Sequence, residues 1–168
     1  PSGGAGGQAT DIAIMARETS AGVLAWRRRA GGPEFLLAHP GGPFWAKKDV
    51  AAWSIPKGLV GEGEDAWAAA RREFAEELGQ PVAGPGEPLS PCRTLGGKLI
   101  LAWLVEADFD AAVLRSNSFE MEWPRGSGLR ASFPEVDKAE WFDAETALWK
   151  IHKGQQPILR EAIGRLTP

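Results

Sequence analysis

An α/β domain with helices covering a mixed sheet is the fold class this sequence predicts, and three observations lead there. The 168 residues are enough to bury one core and too few for two independent ones. Short apolar runs bounded by Gly and Pro recur as strands do, while one Ala-rich segment carries a helical period. Their order, strands on both sides of a helix and helices at the end, is that of a layered α/β domain.

Residues 21–29 (AGVLAWRRR) and 34–39 (EFLLAH) read as strands, and Ala30-Gly31-Gly32-Pro33 between them as the turn of a hairpin. Residues 41–50 (GGPFWAKKDV) read as a loop, followed by a short strand at 52–55 that Pro56 stops. The segment 64–78 predicts a helix. Glu64 and Asp65 place negative charge at its start, Trp67, Ala70, Phe74 and Leu78 form one apolar stripe, and Gly79 with Pro81 ends it. Further strands are expected at 97–105, at 118–123 with one wet face and, from a weaker pattern, at 139–142. Helices are expected at 143–151 and 156–166. The last helix is apolar enough to cap the core or to meet a partner, with capping the simpler reading, and the oligomeric state stays open. Residues 1–9 read as a flexible leader, leaving 10–168 as one domain.

A net charge of −3 gives no overall basic field for long nucleic acid, so any phosphate must be gripped locally. The single cysteine, Cys92, cannot form an internal disulfide and lacks a base beside it in sequence, so it reads as structural and the compartment as reducing, such as the cytoplasm. Apolar runs stay below the ~18 residues that span a bilayer, so no membrane partner is expected. Most of the eight tryptophans are expected in the core, since indole buries much area.

Glu73, Glu76 and Glu77 recur at i, i+3 and i+4, which puts three carboxylates on one helix face. Such crowding fits a solvated charged face, offset by Arg71 and Arg72. That solvated face is the commoner reading of the spacing alone; the same crowding also fits an oxygen-donor site for Mg²⁺ or Mn²⁺.

From Gly58 through Glu64 to Arg72-Glu73-Phe74-Ala75-Glu76-Glu77-Leu78-Gly79, the sequence resembles the Nudix box, G-x5-E-x7-R-E-U-x-E-E-x-G-U with U a bulky apolar residue. Every fixed position up to Gly79 matches, and Gln80 departs where an apolar residue is expected. The resemblance implies an α/β/α sandwich around a mixed sheet, with the box forming a loop-helix-loop. It implies a Mg²⁺- or Mn²⁺-dependent hydrolase that cuts a pyrophosphate bond in a nucleoside diphosphate linked to another moiety. Glu73, Glu76, Glu77 and the Gly58 carbonyl would hold the metal, and Arg72 and Glu64 would brace the loop-helix-loop.

Trp53-Ser54-Ile55-Pro56-Lys57-Gly58 resembles the W-x-x-P-K-G stretch of Nudix members acting on dinucleoside polyphosphates and diphosphoinositol polyphosphates. This tilts the substrate toward a dinucleoside polyphosphate, with nucleoside triphosphates next, and gives Lys57 a phosphate to touch. Lys47 and Lys48 read either as solubilising charge or as further phosphate contacts, and Trp45 either as a packed ring or as a surface for a base. Glu135, six residues before Trp141, is similar in placement to an outside acid of the family; it reads as a plain loop glutamate or as water-mediated ligand or general base, with Glu120 and Glu122 behind it. His39 is a strand-end residue or a phosphate contact.

A non-hydrolytic Nudix-like module that binds a nucleotide and regulates is the alternative, and the intact box glutamates speak against it. Action on RNA ends is a third reading, which the acidic balance disfavours. It would need Arg27, Arg28 and Arg29 to join Lys47 and Lys48 in one groove.

Overall fold

Strand β1 (Thr19–Arg29) runs through the middle of the sheet and is buried over its first seven residues. Ala21, Val23 and Ala25 point to one face and Leu24 to the other, the alternation of a strand covered on both sides. A computed structural model describes residues 18–168, so the expected leader at 1–9 lies outside the described residues. Strand β2 (Gly32–Pro40) returns antiparallel to β1 with Trp26 opposite Phe35, completing the expected hairpin.

Strand β3 (Lys57–Leu59) pairs with β1, helix α1 spans Ala66–Leu78, and the two-residue strands β4 (Glu87–Pro88) and β5 (Cys92–Arg93) precede β6 (Leu99–Glu106). β7 (Ser118–Glu122) and β8 (Arg130–Pro134) form a separate hairpin; β9 (Val136–Asp143), α2 (Ala144–Lys150) and α3 (Gln156–Leu166) close the chain. Among the described residues the main sheet has seven strands, with the path β4-β6-β1-β2-β9, β3 added beside β1 and β5 beside β6. β1 and β6 are parallel and the other pairs antiparallel, so the sheet is mixed.

Helix α1 buries Ala69, Ala70, Phe74 and Leu78 against Val23, Leu36 and Val105 on one face of the sheet. On the other, α2 and α3 bring Ala147, Ile158, Leu159 and Ala162 onto Leu24, Phe35, Trp53 and Phe142. The result is the expected α/β/α sandwich. Terminal helix α3 caps this protein's own core, as the simpler reading had it. No helix among the described residues is long and apolar enough to cross a membrane.

Several sequence readings need correction. Residues 52–55 form isolated bridges, Ala38 with Ser54 and Trp53 with Ile151, in place of a strand. Helix α1 starts at Ala66, because Asp65 caps it by accepting from the Ala68 N–H at 3.0 Å; Glu64 is thereby free to turn toward Arg72. Strand β8 was not expected, and β9 begins three residues earlier than 139. Most tryptophans do join the core, though only Trp53 is fully buried: Trp26, Trp45, Trp67, Trp103 and Trp141 pack against it partly buried, while Trp123 and Trp149 are exposed. Gly79, at φ 72°, gives α1 its left-handed stop, and the apolar contact expected from position 80 comes from Val82.

Candidate functional site

The box segment starts on the sheet. Gly58 pairs with Ala21 of β1, and a Cβ at Gly58 would stand 2.0 Å from the Glu73 carboxyl carbon, so only glycine admits that carboxylate here. Behind it, Arg72 organises the acids. Its Nε and Nη2 both donate to Glu64 at 2.9 Å, its Nη1 donates to Glu73 at 2.8 Å and to both oxygens of Glu76 at 3.3 Å, and Nη2 also reaches the Leu59 carbonyl. Glu64 accepts in addition from the Gly61 N–H at 2.9 Å. Hydrogen bonds from Arg72, then from Gly61, hold the Glu64 carboxyl down at about 2. The Arg72 guanidinium is raised, first by its bonds to Glu64.

Glu77 lies one helical turn further round and accepts from the Lys57 N–H at 3.3 Å. Burial pushes its carboxyl up to about 8, and the nearby charges of Glu73 and Glu135 add to that. Burial also raises Glu73, with Glu76 and Glu135 reinforcing it. The Lys57 ammonium is lowered, first by burial, against the opposing attraction of Glu77 and Glu73.

Glu135 comes to the same place from a distant part of the chain. It sits between β8 and β9, exposed, with its N–H donating to the Asn117 carbonyl and its own carbonyl accepting from the Gly41 N–H, at 2.8 and 2.9 Å. Asn117 in turn donates its N–H to the Glu76 carbonyl at 2.8 Å. Three backbone hydrogen bonds thus tie Glu135 to α1 on one side and to the 41–50 loop on the other. Lys57, Glu77, Glu135, Trp45, His152 and Gln155 all line one cavity of about 230 Å³.

Other expected residues are placed elsewhere. Glu120 stands 3.8 Å from Arg130 and Glu122 accepts from the Gly128 N–H, both on the β7–β8 hairpin and off this cavity. Lys47 and Lys48 are exposed and do not line it; Lys48 folds its ammonium over the Phe44 and Trp45 rings, 3.9 and 4.8 Å from their centres. Trp45 also borders a second cleft with Phe44, Phe119, Met121 and Glu135. His39 is buried, with Nδ1 on Asp137 at 2.8 Å and Nε2 on the Lys48 carbonyl at 2.6 Å, which leaves its ring no nitrogen for a phosphate. Cys92 is buried and donates to the Gly154 carbonyl, as a structural cysteine does. Arg27 and Arg29 pair with Asp108, and Arg28 lies over Trp26, so these arginines share no described cavity with Lys47 and Lys48. Sequence reading missed His152 and Gln155, which no motif marks.

Among the described residues, no three acidic, histidine or cysteine side chains converge closely enough to cage an ion as they stand. Arg72 holds one oxygen of Glu73 and both of Glu76, and those bonds would have to be exchanged for an ion. The donor set still fits a hard divalent cation. It offers oxygen alone, and Glu73 and Glu77 are acids whose charge burial disfavours until a cation answers it.

The NUDIX domain family profile matches residues 12–162. The chain belongs to the NUDIX domain family. Over 58 residues it is 43% identical to a Bis(5'-nucleosyl)-tetraphosphatase [asymmetrical] from Caenorhabditis elegans, a match covering 34% of this chain and 38% of that one. Over 56 residues it is 41% identical to an RNA pyrophosphohydrolase from Bradyrhizobium diazoefficiens, covering 33% and 27% respectively. The matched part thus spans well under half the length of these relatives. The fold of this Nudix chain is similar to that of a C. elegans Ap4A hydrolase binary complex, with TM-score 0.61 and 24% identity over 88% of this chain and 97% of that one. It is equally similar, at TM-score 0.61 and 15% identity over 89% and 88%, to the NUDIX domain of Shewanella oneidensis NrtR complexed with ADP ribose.

Proposed function

We propose that this Nudix protein is a Mg²⁺- or Mn²⁺-dependent pyrophosphohydrolase whose substrate is a small nucleotide, a nucleoside diphosphate linked to another moiety. A dinucleoside polyphosphate is the preferred substrate and a nucleoside triphosphate the next. The observation that carries the reading is the meeting of Lys57, Glu77 and Glu135 in one cavity, backed by the acids that Arg72 gathers on α1. The same reading takes residues 10–168 as one domain, and the profile match at 12–162 supports it.

Glu73, Glu76, Glu77 and the Gly58 carbonyl would hold the cation, which neutralises the pyrophosphate and makes an attacking water more acidic. Lys57 contacts a phosphate oxygen from the cavity wall. Glu135, at the exposed rim, accepts the proton of the attacking water. Arg72 keeps the acids in register, and Glu64 holds Arg72. Trp45 borders both the cavity and the aromatic cleft, where the nucleoside can stack.

The test is product analysis with Mg²⁺ in water enriched in heavy oxygen, on dinucleoside polyphosphates, nucleoside triphosphates, ADP-ribose and 5'-triphosphorylated RNA. Metal-dependent release of a nucleotide carrying the label, abolished by Glu77→Gln, is the expected result. Tight nucleotide binding without turnover would instead make the protein a regulatory binding module. Preference for the RNA would move it toward the activity for which the Bradyrhizobium relative is named.

A further inference from the structure

A cavity of about 490 Å³ lies next to the carboxylate pocket and shares Lys57, His152 and Gln155 with it. Two short segments far apart in sequence make its walls. One is the tip of the β5–β6 hairpin, Thr94–Lys98, closed by hydrogen bonds from the Thr94 N–H to the Lys98 carbonyl and from the Gly97 N–H to the Thr94 carbonyl. The other is the turn His152–Gln155, clipped to β5 by the Cys92 thiol on the Gly154 carbonyl.

Both walls carry cations. Lys98 comes from the hairpin tip, Lys153 from the turn and Lys57 from the shared border. Among the described residues, none of the three ammonium groups makes an ion pair within 4 Å or a hydrogen bond. Three such cations bordering one space suit an anion in that space. Ala51, the one non-glycine residue with positive φ among those described, at 58°, also borders this cavity, and such strain gathers where a surface is shaped for a ligand.

We infer that this compartment is the polyanion arm of the substrate groove and takes the phosphates beyond the pyrophosphate that is cut. The inference rests on the hydrolase reading above for the direction of the chain: the nucleoside lies on the Trp45 side, the scissile bond lies by Glu77 and Glu135, and the remaining phosphates run past Lys57 toward Lys98 and Lys153. The arm favours substrates with a long phosphate chain over those, such as ADP-ribose, that carry two phosphates and a sugar.

The experiment pairs calorimetric binding of inorganic tripolyphosphate in chelator-treated buffer with hydrolysis of a dinucleoside tetraphosphate and of ADP-ribose. It compares the wild type with Lys98→Gln/Lys153→Gln, whose unfolding midpoint should match because both side chains are exposed. Wild type should bind tripolyphosphate, and the double variant about tenfold or more weakly, as expected for two lost phosphate contacts. KM for the tetraphosphate should rise by a similar factor, KM for ADP-ribose by less than about threefold, and tripolyphosphate should compete with the tetraphosphate. Equal binding by both proteins, an equal rise in both KM values, or binding that does not compete would overturn the arm. If the wild type cuts no nucleotide, the hydrolase reading falls while the tripolyphosphate titration still decides whether the compartment binds polyanions. If it cuts normally and the double variant matches it throughout, the hydrolase stands and the arm falls.

Discussion

Glu73, Glu76 and Glu77 ride on a capped thirteen-residue helix whose inner face is fully buried, whereas Glu135 is one exposed residue between two strands, held through its backbone alone. Glu73 and Glu76 are fixed by side-chain bonds from Arg72, and Glu77 by the Lys57 N–H. Glu135 makes no such bond among the described residues, and its position depends on the relay Glu76–Asn117–Glu135–Gly41. One side of the pocket is therefore set by local sequence and the other by the tertiary fold. The contrast teaches where each should fail under substitution: the helix side through its charges, the loop side through its backbone placement.

The largest effect should come from the helix side. Glu77→Gln is expected to lower kcat/KM by about 10³-fold, the scale of several kcal/mol of lost charge stabilisation, while leaving the fold intact. In the same variant Mg²⁺ should no longer raise the melting temperature, as it is expected to do in the wild type. Steady-state kinetics with thermal scans at rising Mg²⁺ check both.

Glu135→Gln should cost about 10²-fold in kcat, because the acceptor for the proton of the attacking water is gone. An unchanged rate would return Glu135 to a plain loop residue. Arg72→Lys comes next, at about 10- to 100-fold, since an ammonium cannot serve Glu64, Glu73 and Glu76 together as the guanidinium does. A loss in kcat with little change in KM would mark positioning of the acids and not substrate binding.

The smallest effect is a pH dependence. Glu64 titrates at about 2 in the folded protein against 4.5 ordinarily, so the stability it contributes is complete above about 4.5 and is lost as pH falls through 2. Glu64→Gln should therefore be less stable than wild type at pH 7, with the two converging toward pH 2. Denaturant midpoints at pH 7, 4 and 2.5 measure that convergence.

Much of the helix side was legible in the sequence because its signals are local. The stripe at Trp67, Ala70, Phe74 and Leu78, the stop at Gly79 and the three glutamates all lie within one short stretch of sequence, Trp67 to Gly79. Trp67 alone departs, tilting against Trp103 in place of full burial. The start of α1 was misplaced because two acids in a row both suit a cap, and only Arg72, eight residues on from Glu64, decides between them. On the loop side legibility drops. Strand β8 is the partner that dries one face of β7, and nothing in residues 130–134 marks it until Phe119 and Phe133 are seen to face each other. Lys98 and His152 are single residues without a motif, made neighbours of Lys57 only by the fold. Most tryptophans stop at partial burial for a related reason: indole is as serviceable stacked on a surface, as Trp26 and Trp67 are beneath Arg28 and Arg71, as it is in a core.

Arg72 has a consequence for the life history of the chain. By supplying positive charge to Glu64, Glu73 and Glu76 from within the polypeptide, it acts as an internal counterion that is present from synthesis onward. On the proposed metal-dependent reading, a newly made molecule can thus complete its sandwich in a cell whose free divalent ions are scarce, and acquire its ion later as a fitting to a finished frame. Metal starvation would silence such a protein without sending it to the proteases, and returning the ion would restore it without new synthesis.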